Sequence, residues 1–318
     1  MIWHNQTMVN EFILLGFTNL GQLQILLFVI FLVFYLTTVL GNFLIILLTG
    51  LDSNLHTPMY FFLQILSFAE IGFVSAIIPK LLVNLLSDKK TISLLGCRAQ
   101  IYCVFFFGVM ECFILIVMAY DRFVALCNPL RYTVIMNRKL CISLVTAVWA
   151  LGFPVASIQS TWLLSFPFCR SNEISHFFCD APPILQLACA DTYSFELFSF
   201  IGTFIILLCP FALILVSYIH IISTILRIPS VEGRWKAFST CSSHIIVVTL
   251  FYGSASLTHL QPKSSSVPGN KHLLSLSYVI LTPMLNPFIY SLRNKEVKGA
   301  LIRLIRKKIC WCLHNFKA

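Results

Sequence analysis

Met118-Ala119-Tyr120-Asp121-Arg122-Phe123-Val124-Ala125-Leu126-Cys127 closes a long apolar run that begins near Cys97. A helix of that length crosses a bilayer core of about 30 Å. Charges in such a run are costly, and where they occur they mark function. Here the acid and the arginine stand side by side at the water boundary, where an arginine can exchange one partner for another. The stretch directs the reading of the whole chain toward membrane helices.

Composition agrees. The chain is 58% hydrophobic and only 11% charged, whereas a soluble domain carries about 25% charged residues. Twenty-nine phenylalanines suit a lipid-facing surface and an aromatic interior. Residues 1–22 lack a basic n-region and a small-residue cleavage site, so the first apolar span is expected to act as its own insertion signal.

Seven apolar segments follow: Leu23–Thr49, Thr57–Leu86, Cys97–Cys127, Cys141–Leu164, Phe195–Leu226, Ala237–Gln261 and Lys271–Leu292. They are too long and too unbroken for barrel strands, so each is expected to be a helix. The fold class is an all-α membrane bundle of seven helices. Three regions are drawn: an extracellular N-terminus at 1–22, the seven-helix domain at 23–293, and a cytoplasmic amphipathic helix and tail at 294–318. In that last region Val297, Leu301, Leu304 and Ile305 recur at helical spacing between basic residues, as on a helix lying against a leaflet. Cys310 and Cys312 follow as juxtamembrane cysteines of the kind that are palmitoylated. Pro58 opens the second span, and Pro79, Pro154, Pro210, Pro283 and Pro287 are expected to kink or open theirs.

The net charge of +10 is unevenly placed. Arg122, Arg131, Arg138, Lys139, Arg227, Arg234, Lys236 and the cluster from Arg293 to Lys317 fall on one side of the spans. The other side holds Lys80, Lys89, Lys90, Arg98, Arg170, Lys263 and Lys271. The positive-inside rule then puts the N-terminus outside. The basic face points to anionic lipid and an intracellular protein partner, not to nucleic acid. Asn5-Gln6-Thr7 is an N-glycosylation sequon on that outer side.

Six of the twelve cysteines lie in or near spans: Cys103, Cys112, Cys127, Cys141, Cys209 and Cys241. They read as small apolar packing residues. Cys97, Cys169, Cys179 and Cys189 face the oxidising side, where an even number favours disulfides. Four cysteines allow three connectivities, and their spacing does not choose. A metal site built from these cysteines and His176 is the alternative.

Several motifs carry a family resemblance along nearly the whole chain. The opening decapeptide resembles the MAYDRYVAIC signature of olfactory receptors, a branch of the rhodopsin-like G-protein-coupled receptors. Gly41-Asn42, Leu55-His56-Thr57-Pro58-Met59-Tyr60-Phe61-Phe62-Leu63 and Leu66-Ser67-Phe68-Ala69-Glu70 are similar to family motifs. So are Ser217-Tyr218, Lys236-Ala237-Phe238-Ser239-Thr240-Cys241-Ser242-Ser243-His244, Phe251-Tyr252-Gly253 and Pro283-Met284-Leu285-Asn286-Pro287-Phe288-Ile289-Tyr290. Pro79-Lys80-Leu81 and the moderate 165–194 loop resemble the tetrapod-type (class II) branch. Phe123 departs from the family's usual tyrosine.

The resemblance implies the pairs Cys97–Cys179 and Cys169–Cys189. It implies a switch at Asp121, Arg122, Tyr218, His244, Asn286, Pro287 and Tyr290, with Asp121 holding Arg122 at rest. For His244 a packed, hydrogen-bonded histidine is the plainer alternative. Glu70 and Glu111 are acids deep in the membrane, and Asn42 and Asn286 are their natural partners. A sodium-like ion or a proton shared there is expected, with a purely structural polar cluster as the alternative; no other cofactor is implied.

The ligand pocket is expected in the outer half. Val104, Phe105, Gly108 and Val109 share one helix face. By family position they are joined by Gly202, Thr203, Ile206, Tyr252, Ser254, Ala255, His259, Leu276 and Val279. That mostly apolar wall suits a small, largely apolar molecule. Val104 stands where amine receptors carry an aspartate.

The resemblance thus implies an odorant receptor that is not an enzyme. Its ligand is a small odorant, and its partner is a heterotrimeric G protein of the olfactory stimulatory type, which raises cyclic AMP. The expected location is the multi-pass plasma membrane of olfactory sensory cilia. A receptor for a non-odorant metabolite is the alternative, and a seven-helix transporter or channel the distant one.

Overall fold

In lipid, a backbone N–H or C=O that leaves its helix has no water to turn to, which favours helices in the apolar spans. The structure is a computed structural model and describes residues 10–16, 21, 23–169, 171–259, 279–290 and 295–315. Six long apolar helices run through it: α1 (Leu23–Leu51), α2 (Pro58–Leu86), α3 (Leu94–Cys127), α4 (Arg138–Leu163), α5 (Tyr193–Leu226) and α6 (Val231–His259). A shorter apolar helix, α7 (Val279–Tyr290), completes the bundle. Helix α8 (Lys295–Asn315) follows it. At 1.5 Å per residue the long helices measure about 40–50 Å, more than the hydrocarbon thickness requires.

Local chemistry sets where the helices begin. Ser93 Oγ accepts from the Gly96 amide at 3.1 Å and starts α3. Asn137 Oδ1 accepts from the Leu140 amide at 3.0 Å and starts α4. Such side chains satisfy amides that the first turn leaves open. Pro58 occupies the first turn of α2, where its missing N–H costs nothing. Pro79, Pro154 and Pro210 lie inside α2, α4 and α5, which continue past them.

Helices α2 and α3 form the centre. About half of their most apolar windows is buried (56% and 50%), against 11% in α1 and 17% in α5, which face outward. Phe62, Leu66, Phe73, Ile77, Ile114, Leu115 and Phe251 belong to one core that runs through the bundle.

One element was not legible as a helix pattern. A three-stranded sheet covers the disulfide end of the bundle, an addition to the all-α expectation. Strand β1 (Glu11–Leu14) lies in its middle, antiparallel to β2 (Thr91–Ser93) and parallel to β3 (Glu173–Ile174). Phe12 pairs with Ile92 in the ladder and is fully buried against the edge of Phe168. The sheet roofs a second core that includes Ile101, Leu163, Ile184 and Phe195.

At the opposite end, α8 is tied back to the bundle twice. Tyr60 donates to Glu296 Oε2 at 2.8 Å. Two nitrogens of Arg303 meet Asp52 Oδ2 at 2.8 and 2.7 Å. The hydrogen bond from Arg303 holds the Asp52 carboxyl below its ordinary value of 3.8. A depressed carboxyl pKa means the tie is intact at neutral pH and is lost only as acid carries the pH down through that lowered value. Amide exchange across residues 296–306, corrected for intrinsic rates, should therefore stay constant from neutral to mildly acid pH. Asp52→Asn should raise it throughout that range. Equal protection in the variant would show that the pair does not hold α8.

Candidate functional site

At the arginine end, Asp121 and Arg122 are both buried near the end of α3. The expected pairing between them is not what the structure has. Asp121 Oδ1 accepts instead from the hydroxyl of Tyr132 at 2.9 Å, on the short helix Tyr132–Ile135 that follows α3. Neighbouring side chains on one helix turn point apart, whereas the reversal at Pro129 brings Tyr132 back under the carboxylate. Arg122 Nε has no hydrogen-bond partner among the described residues.

Around that guanidinium lie groups from three other helices. Tyr218 of α5 and His244 Nδ1 of α6 share a 2.7 Å hydrogen bond, and their rings stack with centroids 5.7 Å apart. The Tyr290 hydroxyl of α7 is buried with no hydrogen-bond partner among the described residues. Ser243 donates to the Ile289 carbonyl at 3.4 Å, a further α6–α7 link. Phe123 packs against Tyr120 and His220, so the ring is used where a tyrosine hydroxyl is lacking.

Midway along the bundle, proline chemistry explains the contact between α1 and α7. Pro287 has no N–H, so the Pro283 carbonyl one turn earlier loses its helical donor. Asn42 Nδ2 donates to that carbonyl at 3.4 Å and to Thr38 O at 3.2 Å. The neighbouring Gly41 allows the approach: a Cβ there would stand 3.0 Å from Pro287 Cβ. Asn286, next to Pro287, donates to Glu70 Oε1 of α2. Glu111 of α3 is buried close by. Glu70 Oε2, Glu111 Oε1 and Asn286 Oδ1 have no partner among the described residues. All three are acceptors, so the cluster can take a cation or a proton but offers nothing to an anion.

The residues expected to line the pocket are only partly brought together. Tyr252, Ala255 and Val279 are buried in the main core, with Val104 and Ile206 packed against it. Val109 is buried and Gly108, Gly202 and Thr203 are half-buried. Phe105 packs instead on the core under the sheet. Two expected hydrogen-bonding groups are already engaged. Tyr252 donates to the Cys112 carbonyl at 2.8 Å, joining α6 to α3. Ser254 donates to Leu250 O at 2.6 Å and stands 3.4 Å from the Thr282 hydroxyl. Leu276, Asn5 and the side chains of His259, Cys310 and Cys312 lie outside the described residues.

Disulfides join Cys97 to Cys179 and Cys169 to Cys189. One supporting residue had no sequence signal beyond being a polar side chain in an apolar run. Gln100, one turn after Cys97, accepts from the Cys179 amide at 2.8 Å and donates to the Ala76 carbonyl at 2.9 Å. It joins the long loop, α3 and the proline-containing turn of α2.

These features define a seven-helix membrane protein with the layout of a G-protein-coupled receptor. The olfactory receptor family profile covers residues 31–308, and the chain belongs to that family. It is 56% identical to human Olfactory receptor 10A7 over 99% of this chain and 100% of the relative. It is 57% identical to human Olfactory receptor 10A5 over 95% of this chain and 96% of that one. With human Olfactory receptor 10A2 it shares 58% identity over 91% and 95% of the two chains. These relatives are receptors, not enzymes.

Gln100→Met keeps side-chain length but removes both bonds. Each buried group left without a partner costs about 1–3 kcal/mol. The purified variant should melt at a lower temperature even where mass spectrometry finds both disulfides formed. An unchanged melting temperature would remove Gln100 from this role.

Proposed function

We propose that this protein is an odorant receptor of the plasma membrane, N-terminus outside, that activates the olfactory stimulatory G protein and so raises cyclic AMP. The disulfide end then faces outward and the arginine end faces the cytoplasm. Olfactory sensory cilia are the proposed location, with anionic lipid against the basic inner face. The observation that carries the reading is Arg122: a buried guanidinium with an open Nε, beside a carboxylate that another residue holds. Because Tyr132 occupies Asp121, turning Arg122 toward the G protein requires no ion pair to be broken within α3.

The odorant is proposed to bind among Val104, Gly108, Thr203, Ile206, Tyr252, Ala255 and Val279, with Phe105, Val109, Gly202, Ser254, Leu276 and His259 at the margins. Tyr252 couples that region to the switch, since its hydroxyl bonds the α3 backbone at Cys112 while its ring contacts Phe211 of α5. A ligand that displaces the ring would release α6 from α3. Farther in, Glu70, Glu111 and Asn286, steadied by Asn42, are proposed to hold a sodium-like ion or a proton. The three open acceptor oxygens support this reading. Either occupant would neutralise carboxylates that are costly to bury charged.

Arg122→Ala should abolish agonist-driven cyclic AMP at surface levels matched to the wild type. Because Arg122 is not in the outer half, fluorescent-agonist binding should survive within about threefold, well under the ~1.4 kcal/mol that a tenfold change represents. Normal cyclic AMP at matched surface levels would contradict the coupling role.

A further inference from the structure

The α2–α3 seam opens on the flank of the bundle. Toward its middle the ring of Phe107 lies directly over Gly72, where a Cβ would have no room, and the two helices close together. Nearer the disulfide end the facing residues are small. A groove of about 380 Å³ lies there between Ala76 and Lys80 of α2 and Gly96, Ala99 and Cys103 of α3. Residues Thr91–Ser93 line its outer end, and Gln100 lies along its inner side. Pro79 and Ala99 are exposed positions inside apolar spans, which places the opening toward lipid and away from the bundle axis.

Lys80 stands out in this setting. It lies six residues before the end of α2, about 9 Å inside the helix terminus at 1.5 Å per residue. It makes no hydrogen bond or ion pair among the described residues. A cation at that depth without a protein partner either snorkels to the headgroups or meets an anion in the groove. The groove has the size of the smaller ligand sites. Its walls are apolar apart from the ammonium and a few neutral polar groups, and no acidic side chain lines it. One end of the occupant must therefore be anionic and the rest apolar.

We propose that this groove binds a long-chain fatty acid from the surrounding leaflet, its carboxylate on Lys80 and its chain along Ala76, Ala99 and Cys103. The site is separate from the odorant pocket. None of the residues proposed for the odorant lines it, and an occupied groove adjoins Gln100, the residue that ties α2 and α3 to the long loop. A lysine that only snorkels to the headgroups along its own methylenes would show no preference among lipids, and the test separates the two cases.

The purified receptor in nanodiscs of zwitterionic lipid would be labelled with a photoactivatable long-chain fatty acid, and the labelled residues mapped by mass spectrometry. Labelling should concentrate in residues 75–80 and 96–103. Unlabelled fatty acid should compete, and its methyl ester should not. Lys80→Gln should weaken competition about tenfold, equivalent to ~1.4 kcal/mol, while Lys80→Arg retains it. Occupancy should also slow alkylation of the half-buried free thiol of Cys103. Labelling spread evenly over the lipid-facing helices would overturn the proposal, as would a Lys80→Gln protein of normal melting temperature that is labelled like the wild type. Equal competition by the ester, or displacement by phosphatidylserine but not by fatty acid, would also overturn it. A Cys103 alkylation rate indifferent to fatty acid would do the same.

Discussion

Pro287 removes one N–H from the middle of α7, and much of the bundle is arranged around that loss. The Pro283 carbonyl would otherwise sit in an apolar interior with no donor, at a cost of about 1–3 kcal/mol. Asn42 supplies the donor, and Gly41 supplies the room for it to reach. Once α1 and α7 are joined in this way, Asn286 faces Glu70 across the core. A backbone defect in one helix thus fixes the position of three helices and of the carboxylate between them.

The two ends of the bundle are built differently. The disulfide end is cross-tied between segments, although Asn84 near the end of α2 is buried with neither amide atom bonded among the described residues. The sheet pairs the N-terminal segment with two loops, two disulfides hold the long loop, and Gln100 bonds both the loop and α2. At the arginine end, Arg122 Nε and the Tyr290 hydroxyl are buried with no hydrogen-bond partner among the described residues. Groups of this kind can take new hydrogen-bond partners when helices move. A disulfide-tied outer end, and an inner end whose buried arginine and tyrosine can take new partners, suit a protein that receives a signal at one end and changes shape at the other.

The helices were legible because length and apolar character suffice in lipid. The span Cys97–Cys127 starts three residues early at Leu94, where Ser93 caps it, and the sixth begins at Val231, six residues before the apolar run at Ala237. Polar residues such as Glu232, Arg234 and Lys236 extend that helix beyond the membrane and so were invisible to hydropathy. The sheet was illegible for a different reason: its strands have two to four residues, and each pairs with a segment far away in sequence. The switch residues were legible by resemblance, but their partners were not. Tyr132 as the partner of Asp121, and Asn42 as donor to Pro283, depend on how helices meet. No periodicity along a single helix records that.

The central claim is that the arginine-end network opens when α6 leaves α3. Spin labels at the exposed positions Val134, on the turn after α3, and Trp235, at the start of α6, would follow it. With agonist and G protein bound, the distance between them should lengthen by several ångströms. The same labels on an Arg122→Ala background should stay at the resting distance with G protein present. An unchanged distance in a receptor that raises cyclic AMP normally would contradict the account.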